Sequence, residues 1–165
     1  MLALRAARAL PVIALVALAG CGASERDESA ALGKPVEARV TKHTDGDTLW
    51  LSGIGKVRLI GVDTPEVYGQ VECYGRQASA FVKRLLPLGA RARYSLDIEK
   101  RDRYGRALAY VYTGDGRFLN LLLVRRGYAR ALTIPPNDRF ADRLVAAART
   151  ARDRRVGLWA PGACV

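Results

Sequence analysis

The stretch 45–66 reads DGDTLWLSGIGKVRLIGVDTPE and holds three acids, Asp47, Asp63 and Glu66, with Arg58 among them. Leu49, Leu51, Val57 and Leu59 are spaced for two short strands, and the Gly-rich segment 52–55 supplies the turn between them. Antiparallel pairing across that turn brings Asp47 near Asp63. Two carboxylates held close together repel, and a cation between them relieves the repulsion. All-oxygen ligation suits a hard ion, Ca²⁺ or Mg²⁺. The same residues also admit a plainer reading. Asp45-Gly46 is a turn signal with or without chemistry, and Thr64-Pro65-Glu66 can simply open a loop or a helix. His43, the one histidine, sits beside the turn and is read as solvated, with no role.

These residues need a scaffold, and the chain has the length for one domain with a packed core: 165 residues, half of them hydrophobic. Basic residues outnumber acidic ones 27 to 16, a formal charge of +11. Only Arg5 and Arg8 fall within the first 20 residues, which hold no acids, so 25 basic against 16 acidic residues leave +9 on the remainder. That surplus points to a polyanionic partner: nucleic acid, an acidic polysaccharide or an anionic membrane surface. Arg predominates over Lys, which suits bidentate phosphate contact.

Residues 1–20, MLALRAARALPVIALVALAG, read as an export signal. Arg5 and Arg8 form the positive start, and the apolar run from Leu10 to Leu18 is too short to span a membrane comfortably. Leu18-Ala19-Gly20-Cys21 follows and resembles the bacterial lipobox, in which the cysteine is acylated and becomes the mature N-terminus. The expectation is a lipoprotein on the outer side of the cytoplasmic membrane or in the outer membrane, with lipid on Cys21; ordinary secretion is the alternative. Residues 21–35 are small and polar without an apolar period and read as a flexible tether. The folded domain then occupies 36–165. With Cys21 lipidated, Cys73 and Cys164 form an even pair in an oxidising compartment and are expected to bond. Closing a loop of about 90 residues stabilises by roughly 4 kcal/mol in the chain-entropy model.

Along that domain, Val36, Ala38 and Val40 alternate with charged residues in a first strand. Asp47–Ser52 and Lys56–Val62 are the second and third. Helical spacing of Ala78, Phe81, Val82 and Leu85 predicts a helix over 74–86, ended by Pro87 and Gly89. Alternation of Ala92, Tyr94, Leu96 and Ile98 on one side predicts a fourth strand, followed by a charged turn over 99–105 and a fifth strand over 106–112. A short helix over 118–126 ends at Gly127. Pro135-Pro136 is a rigid break, Asn137 is placed as a helix N-cap, and Phe140, Leu144, Val145, Ala148 and Ala151 make the last helix amphipathic. Gly157-Leu158-Trp159 is expected to dock the tail on the core. Three strands, a helix, two strands and two helices give an α+β fold built on a five-stranded barrel of the oligonucleotide-binding (OB) type with three helices.

With these elements in order, five segments carry a specific likeness: DGDT at 45–48, RLIGVDTPE at 58–66, YGRQASAF at 74–81, DRYGRALAY at 102–110 and GLW at 157–159. Over about residues 36–159 the chain resembles the staphylococcal nuclease (thermonuclease) family. The resemblance implies Ca²⁺-dependent hydrolysis of phosphodiester bonds in DNA and RNA, leaving 3′-phosphates, by a monomeric domain. It implies that Asp47, Asp63 and the carbonyl of Thr64 hold Ca²⁺, that Glu66 activates or orders the attacking water, and that Arg58 and Arg106 grip the scissile phosphate. Arg103, in place of a family Lys, and Tyr104 would contact substrate. Where well-known members have two tyrosines that contact the nucleotide, this chain has Leu132 and Ile134. Stacking of a base on an aromatic ring is worth roughly 1–3 kcal/mol, so substrate preference is expected to differ here. The competing reading is a non-catalytic OB-fold module that binds nucleic acid without cutting it. The presence of Asp47, Arg58, Asp63, Glu66 and Arg106 together weighs against that reading.

Overall fold

A computed structural model describes residues 34–164. The expected export signal, the lipid site at Cys21 and nearly all of the tether lie outside the described residues. The elements are β1 (Val36–His43), β2 (Thr48–Leu51), β3 (Gly55–Leu59), β4 (Val62–Asp63), α1 (Gly75–Leu85), β5 (Arg91–Arg101), β6 (Ala107–Thr113), α2 (Leu119–Arg125), β7 (Arg130–Ala131) and α3 (Ala141–Asp153), followed by a 3-10 turn at Gly157–Trp159.

Five of the strands close a barrel in the order β1-β2-β3-β6-β5. All neighbours are antiparallel except β3 and β6, which run parallel with Arg58 opposite Leu108. The expected five-stranded OB-type barrel with three helices is therefore observed. The inward residues of the strands, Val40, Leu49, Leu51, Val57, Leu59, Ala92, Ala109 and Val111, are all essentially water-free. Turn glycines make the β2–β3 hairpin possible: Gly53 and Gly55 both hold positive φ, 78° and 85°, which costs a glycine little.

Three local readings are corrected. β5 does not end at Ile98 but continues to Arg101, with its register against β6 shifting between Leu96 and Arg101. Ile98 accordingly points away from the core at 72% exposure, while Ser95 is buried. Asn137 caps no helix. Its side chain accepts from the Glu99 N–H at 2.9 Å and donates to the Glu99 carbonyl at 2.8 Å, so it replaces a strand partner where the β5 ladder breaks. Third, Val145 is 43% exposed and lies off the apolar face of α3, on which Leu144 and Ala151 are buried as expected.

Two polar devices tie the helices and loops to the barrel. Asn120 of α2 is fully buried. Its Oδ1 accepts from the Val111 N–H at 3.0 Å and its Nδ2 donates to the Ile60 carbonyl at 2.8 Å, joining α2 to β6 and to the exit of β3. The two-residue sheet β4–β7 pairs Val62 with Ala131 and Asp63 with Arg130. It continues through the Leu132 N–H, which donates to the Gly61 carbonyl at 3.1 Å. The same segment that presents Asp63 is therefore held against the chain that carries Leu132 and Ile134.

Candidate active site

β2 begins immediately after Asp47, and β3 carries Arg58 directly opposite Thr48. The Asp47 carbonyl accepts from the Leu59 N–H at 2.9 Å. The hairpin thus places the Asp47 carboxylate and the Arg58 guanidinium on the same side of the barrel wall, and the chain reversal after β3 returns Asp63 to them.

Arg58 is the hub. Its Nε lies 3.2 Å from Asp47 Oδ1 and its Nη2 3.3 Å from Asp63 Oδ1. Its Nη1 donates to the carbonyls of Leu59 at 2.7 Å and Val62 at 2.6 Å. The Arg58 guanidinium thus bridges the two aspartates. Asp47 is buried and held by four donors. Thr48 Oγ1 and Arg58 reach Oδ1 at 3.0 and 3.2 Å; the Thr64 N–H and hydroxyl reach Oδ2 at 3.0 and 3.1 Å. Asp63 has a half-exposed side chain. Burial pushes its carboxyl above the ordinary carboxylate range, Asp47 adds to the rise, and Arg58 and Arg130 oppose it. Neighbouring Asp45 is pushed up to about 6, mainly by burial and then by repulsion from Asp47. Negative charge is crowded here beyond what one guanidinium neutralises.

That crowding tests whether the site suits a divalent ion. No group of three or more His, Cys, Asp or Glu side chains able to hold a metal is found among the described residues. Asp47, Asp63 and the Thr64 carbonyl offer oxygen only, and only two carboxylates. Such a set does not suit a soft metal enclosed by protein ligands. It fits a hard cation that keeps several waters, because hard cations take oxygen donors and tolerate partial hydration.

The second arginine comes from the β5–β6 turn. Arg106 Nε contacts Asp102 Oδ2 at 2.6 Å, and the Arg106 N–H donates to Asp102 Oδ1 at 2.9 Å. Burial alone would raise the Asp102 carboxyl. The bonds from the Arg106 side chain and from the backbone of Arg106 and Tyr104 outweigh it and hold the group below its ordinary value. Arg106 also lies over the Tyr104 ring at 5.5 Å, and Arg103 lies over the same ring at 4.9 Å.

Arg58, Arg103, Tyr104 and Arg106 line one open cavity of about 430 Å³, walled on its apolar side by Leu108, Leu132 and Ile134. Tyr104 and Ile134 are 68% and 60% exposed, so both are available to a ligand in it. Glu66 stands apart from this lining. It is exposed, its carboxylate makes no hydrogen bond among the described residues, and only its backbone is fixed. The structure therefore gathers Asp47, Arg58, Asp63 and Thr64 into one bonded cluster and Arg58 with Arg103, Tyr104 and Arg106 into one cavity, with Arg58 common to both. Cys73 and Cys164 are bonded, with their Cα atoms 5.5 Å apart. Asp102, which aims Arg106, went unassigned in the sequence. Its position four residues before Arg106 at a turn was the available signal.

Comparison with known proteins places this geometry in context. The family model described as staphylococcal nuclease homologue matches residues 56–161. That range includes Arg58, Asp63, Thr64, Glu66 and Arg106. The thermonuclease of Staphylococcus intermedius is 41% identical over 126 residues, covering 73% of this chain and 74% of the relative. The thermonuclease of Staphylococcus hyicus is 39% identical over 127 residues with the same coverage. The endonuclease YhcR of Bacillus subtilis (strain 168) is 34% identical over 138 residues, 74% of this chain but 11% of that larger protein.

Proposed function

The chain belongs to the staphylococcal nuclease family, and from that premise we propose that it is a Ca²⁺-dependent nuclease that hydrolyses DNA and RNA to 3′-phosphate products. The observation that carries the reading is the double membership of Arg58. It is bonded to both aspartates and lines the same cavity as Arg106.

In this reading the scissile phosphate enters the cavity between the two guanidinium groups. Hydrolysis builds negative charge on the phosphoryl oxygens as water attacks in line, and preorganised cations oppose that charge without reorganising. Arg58 is immobilised by four acceptors and Arg106 by Asp102, so both donors are aimed before substrate arrives. Asp47, Asp63 and the Thr64 carbonyl would hold Ca²⁺, which supplies further charge neutralisation at the phosphate when bound. Glu66 has a free, exposed carboxylate one residue beyond the Thr64-Pro65 step and serves to accept or order a proton of the attacking water. Leu132 and Ile134 present an apolar wall for the sugar or base in place of stacking rings. The positive excess of the domain attracts the polyanion from a distance.

The chain is further proposed to be exported and held at a membrane by lipid on Cys21, and to act as a monomer.

Incubation of the domain with single-stranded DNA in Ca²⁺ and then in EGTA tests the activity. The reading requires degradation that depends on Ca²⁺ and falls by about 10²-fold or more in Glu66→Ala, the scale typical of losing one transition-state partner. Intact DNA retained in a salt-sensitive complex would instead identify a binding module.

A further inference from the structure

The segment between Glu66 and α1 is short, exposed and yet pinned at several points. The Glu66 N–H donates to Glu72 Oε2 at 3.1 Å, and the Glu72 N–H donates back to the Glu66 carbonyl at 2.9 Å. The Gly75 N–H then donates to the Glu72 carbonyl at 3.1 Å. Tyr68, midway round the loop, donates its hydroxyl to the Thr44 carbonyl at 2.9 Å, next to the turn that carries Asp47. Gly75 lies so close to the loop that an added Cβ would meet the Glu66 carbonyl oxygen at 2.5 Å and the Pro65 carbonyl oxygen at 2.8 Å. Tyr74 makes the approach possible by adopting positive φ, 71°, and its ring packs on Tyr128 at 5.6 Å.

The residue between Glu72 and Tyr74 is Cys73, and its disulfide partner is Cys164 in the C-terminal tail. That tail is anchored to the core shortly before the bridge. The Leu158 N–H donates to the Gly127 carbonyl at 2.8 Å, Leu158 is buried, and Trp159 lies under the Arg152 guanidinium at 4.5 Å. The load path runs from the α2–β7 junction through the 3-10 turn and the disulfide to Glu72, and from Glu72 to the backbone of Glu66.

We propose that Glu72 is a positioning residue for Glu66, and that the Cys73–Cys164 bridge fixes Glu72, so that the C-terminal tail is a working part of the site. A carboxylate on an exposed loop has many accessible directions. Clamping its backbone at both N–H and carbonyl fixes the point from which the side chain swings and leaves its rotamers as the remaining freedom before substrate binds. Misplacement of about 1 Å can cost on the order of 10² in rate, so a loose clamp acts on turnover rather than on binding, which the arginines and the basic surface govern. The inference rests on the role given to Glu66 above, and its test separates the two.

Kinetics on DNA in Ca²⁺ are measured for Glu72→Ala, Glu72→Gln and the double variant Cys73→Ser/Cys164→Ser, beside NMR hydrogen exchange of the Glu66 amide. Glu72→Ala is expected to lower kcat at least tenfold with KM within twofold. Glu72→Gln keeps an acceptor oxygen for the Glu66 N–H and is expected to restore most of kcat. The double serine variant, and wild type under reductant, are expected to fall between them. In Glu72→Ala and in the double variant the Glu66 amide should exchange at least tenfold faster, with the β3 and β6 amides unchanged. Unchanged Glu66 exchange in Glu72→Ala, equal kcat in Glu72→Ala and Glu72→Gln, or parallel changes in kcat and KM would each overturn the proposal. Both Glu72 variants keep the disulfide, so the proposal stays falsifiable if the double variant does not fold. A Glu66→Gln variant with wild-type kcat, alongside the expected exchange pattern, would reject the role of Glu66 while leaving the clamp intact.

Discussion

Arg58 carries more of the site than any other side chain, because one planar group satisfies two carboxylates and two carbonyls at once. A lysine in its place keeps the charge but cannot reproduce the fork. Arg58→Lys is expected to lower stability by roughly 2–4 kcal/mol, the scale of breaking a partly buried charge network. Its activity should fall beyond what the unfolded fraction explains; urea denaturation and kinetics on the same sample check both. His43 offers a prediction of a different kind. Burial lowers its pKa below the ordinary value of 6.5, and the Lys83 ammonium on α1 adds to the effect. The folded state therefore binds a proton less readily than the unfolded one. The stability this confers is present above pH 6.5 and is lost as pH falls through and below that value. Thermal melts from pH 7 to 5 should show a smaller decline for His43→Gln than for wild type. Equal slopes would contradict the assignment.

Elements position these residues through polar contacts as much as through apolar packing. Asn120 links α2 to β6 and to the exit of β3 by hydrogen bonds made in complete burial. Asn120→Ala strands a buried N–H and a carbonyl and is expected to cost roughly 2–3 kcal/mol, read as a lower denaturation midpoint with an unchanged slope. Much of the framework was legible beforehand, for a physical reason. The barrel strands alternate and include Arg58, α1 has helical spacing, and Asp47, Asp63 and Arg106 lie beside turns whose glycines announce them. What stayed hidden has no local period. Asn137 serves Glu99, 38 residues away; Asn120 serves Ile60, 60 residues away; and β4 and β7 pair over two residues each. The extension of β5 through Glu99, Lys100 and Arg101 was hidden because three charged residues in a row read as a turn.

At the scale of the whole molecule, a basic domain is stapled at its C-terminal end by a disulfide, and its N-terminal sequence reads as an anchor. The export proposed above would put the domain in an oxidising environment, where a bridge between Cys73 and Cys164 persists. Cys21→Ser is expected to remove the acyl mass and shift the protein from the membrane to the soluble fraction. Continued membrane retention by a variant without acyl mass would contradict the anchor. No helix among the described residues is long and apolar enough to cross a membrane.

The most direct test of the site is the rate of DNA hydrolysis by Arg106→Ala in saturating Ca²⁺, compared with wild type in Ca²⁺ and in EGTA. Convergence of both guanidinium groups and a cation on one phosphate predicts a loss of about 10² to 10³ in kcat for the variant, and a loss at least as large for wild type in chelator. Cleavage by Arg106→Ala within threefold of wild type, or cleavage indifferent to EGTA, would contradict it.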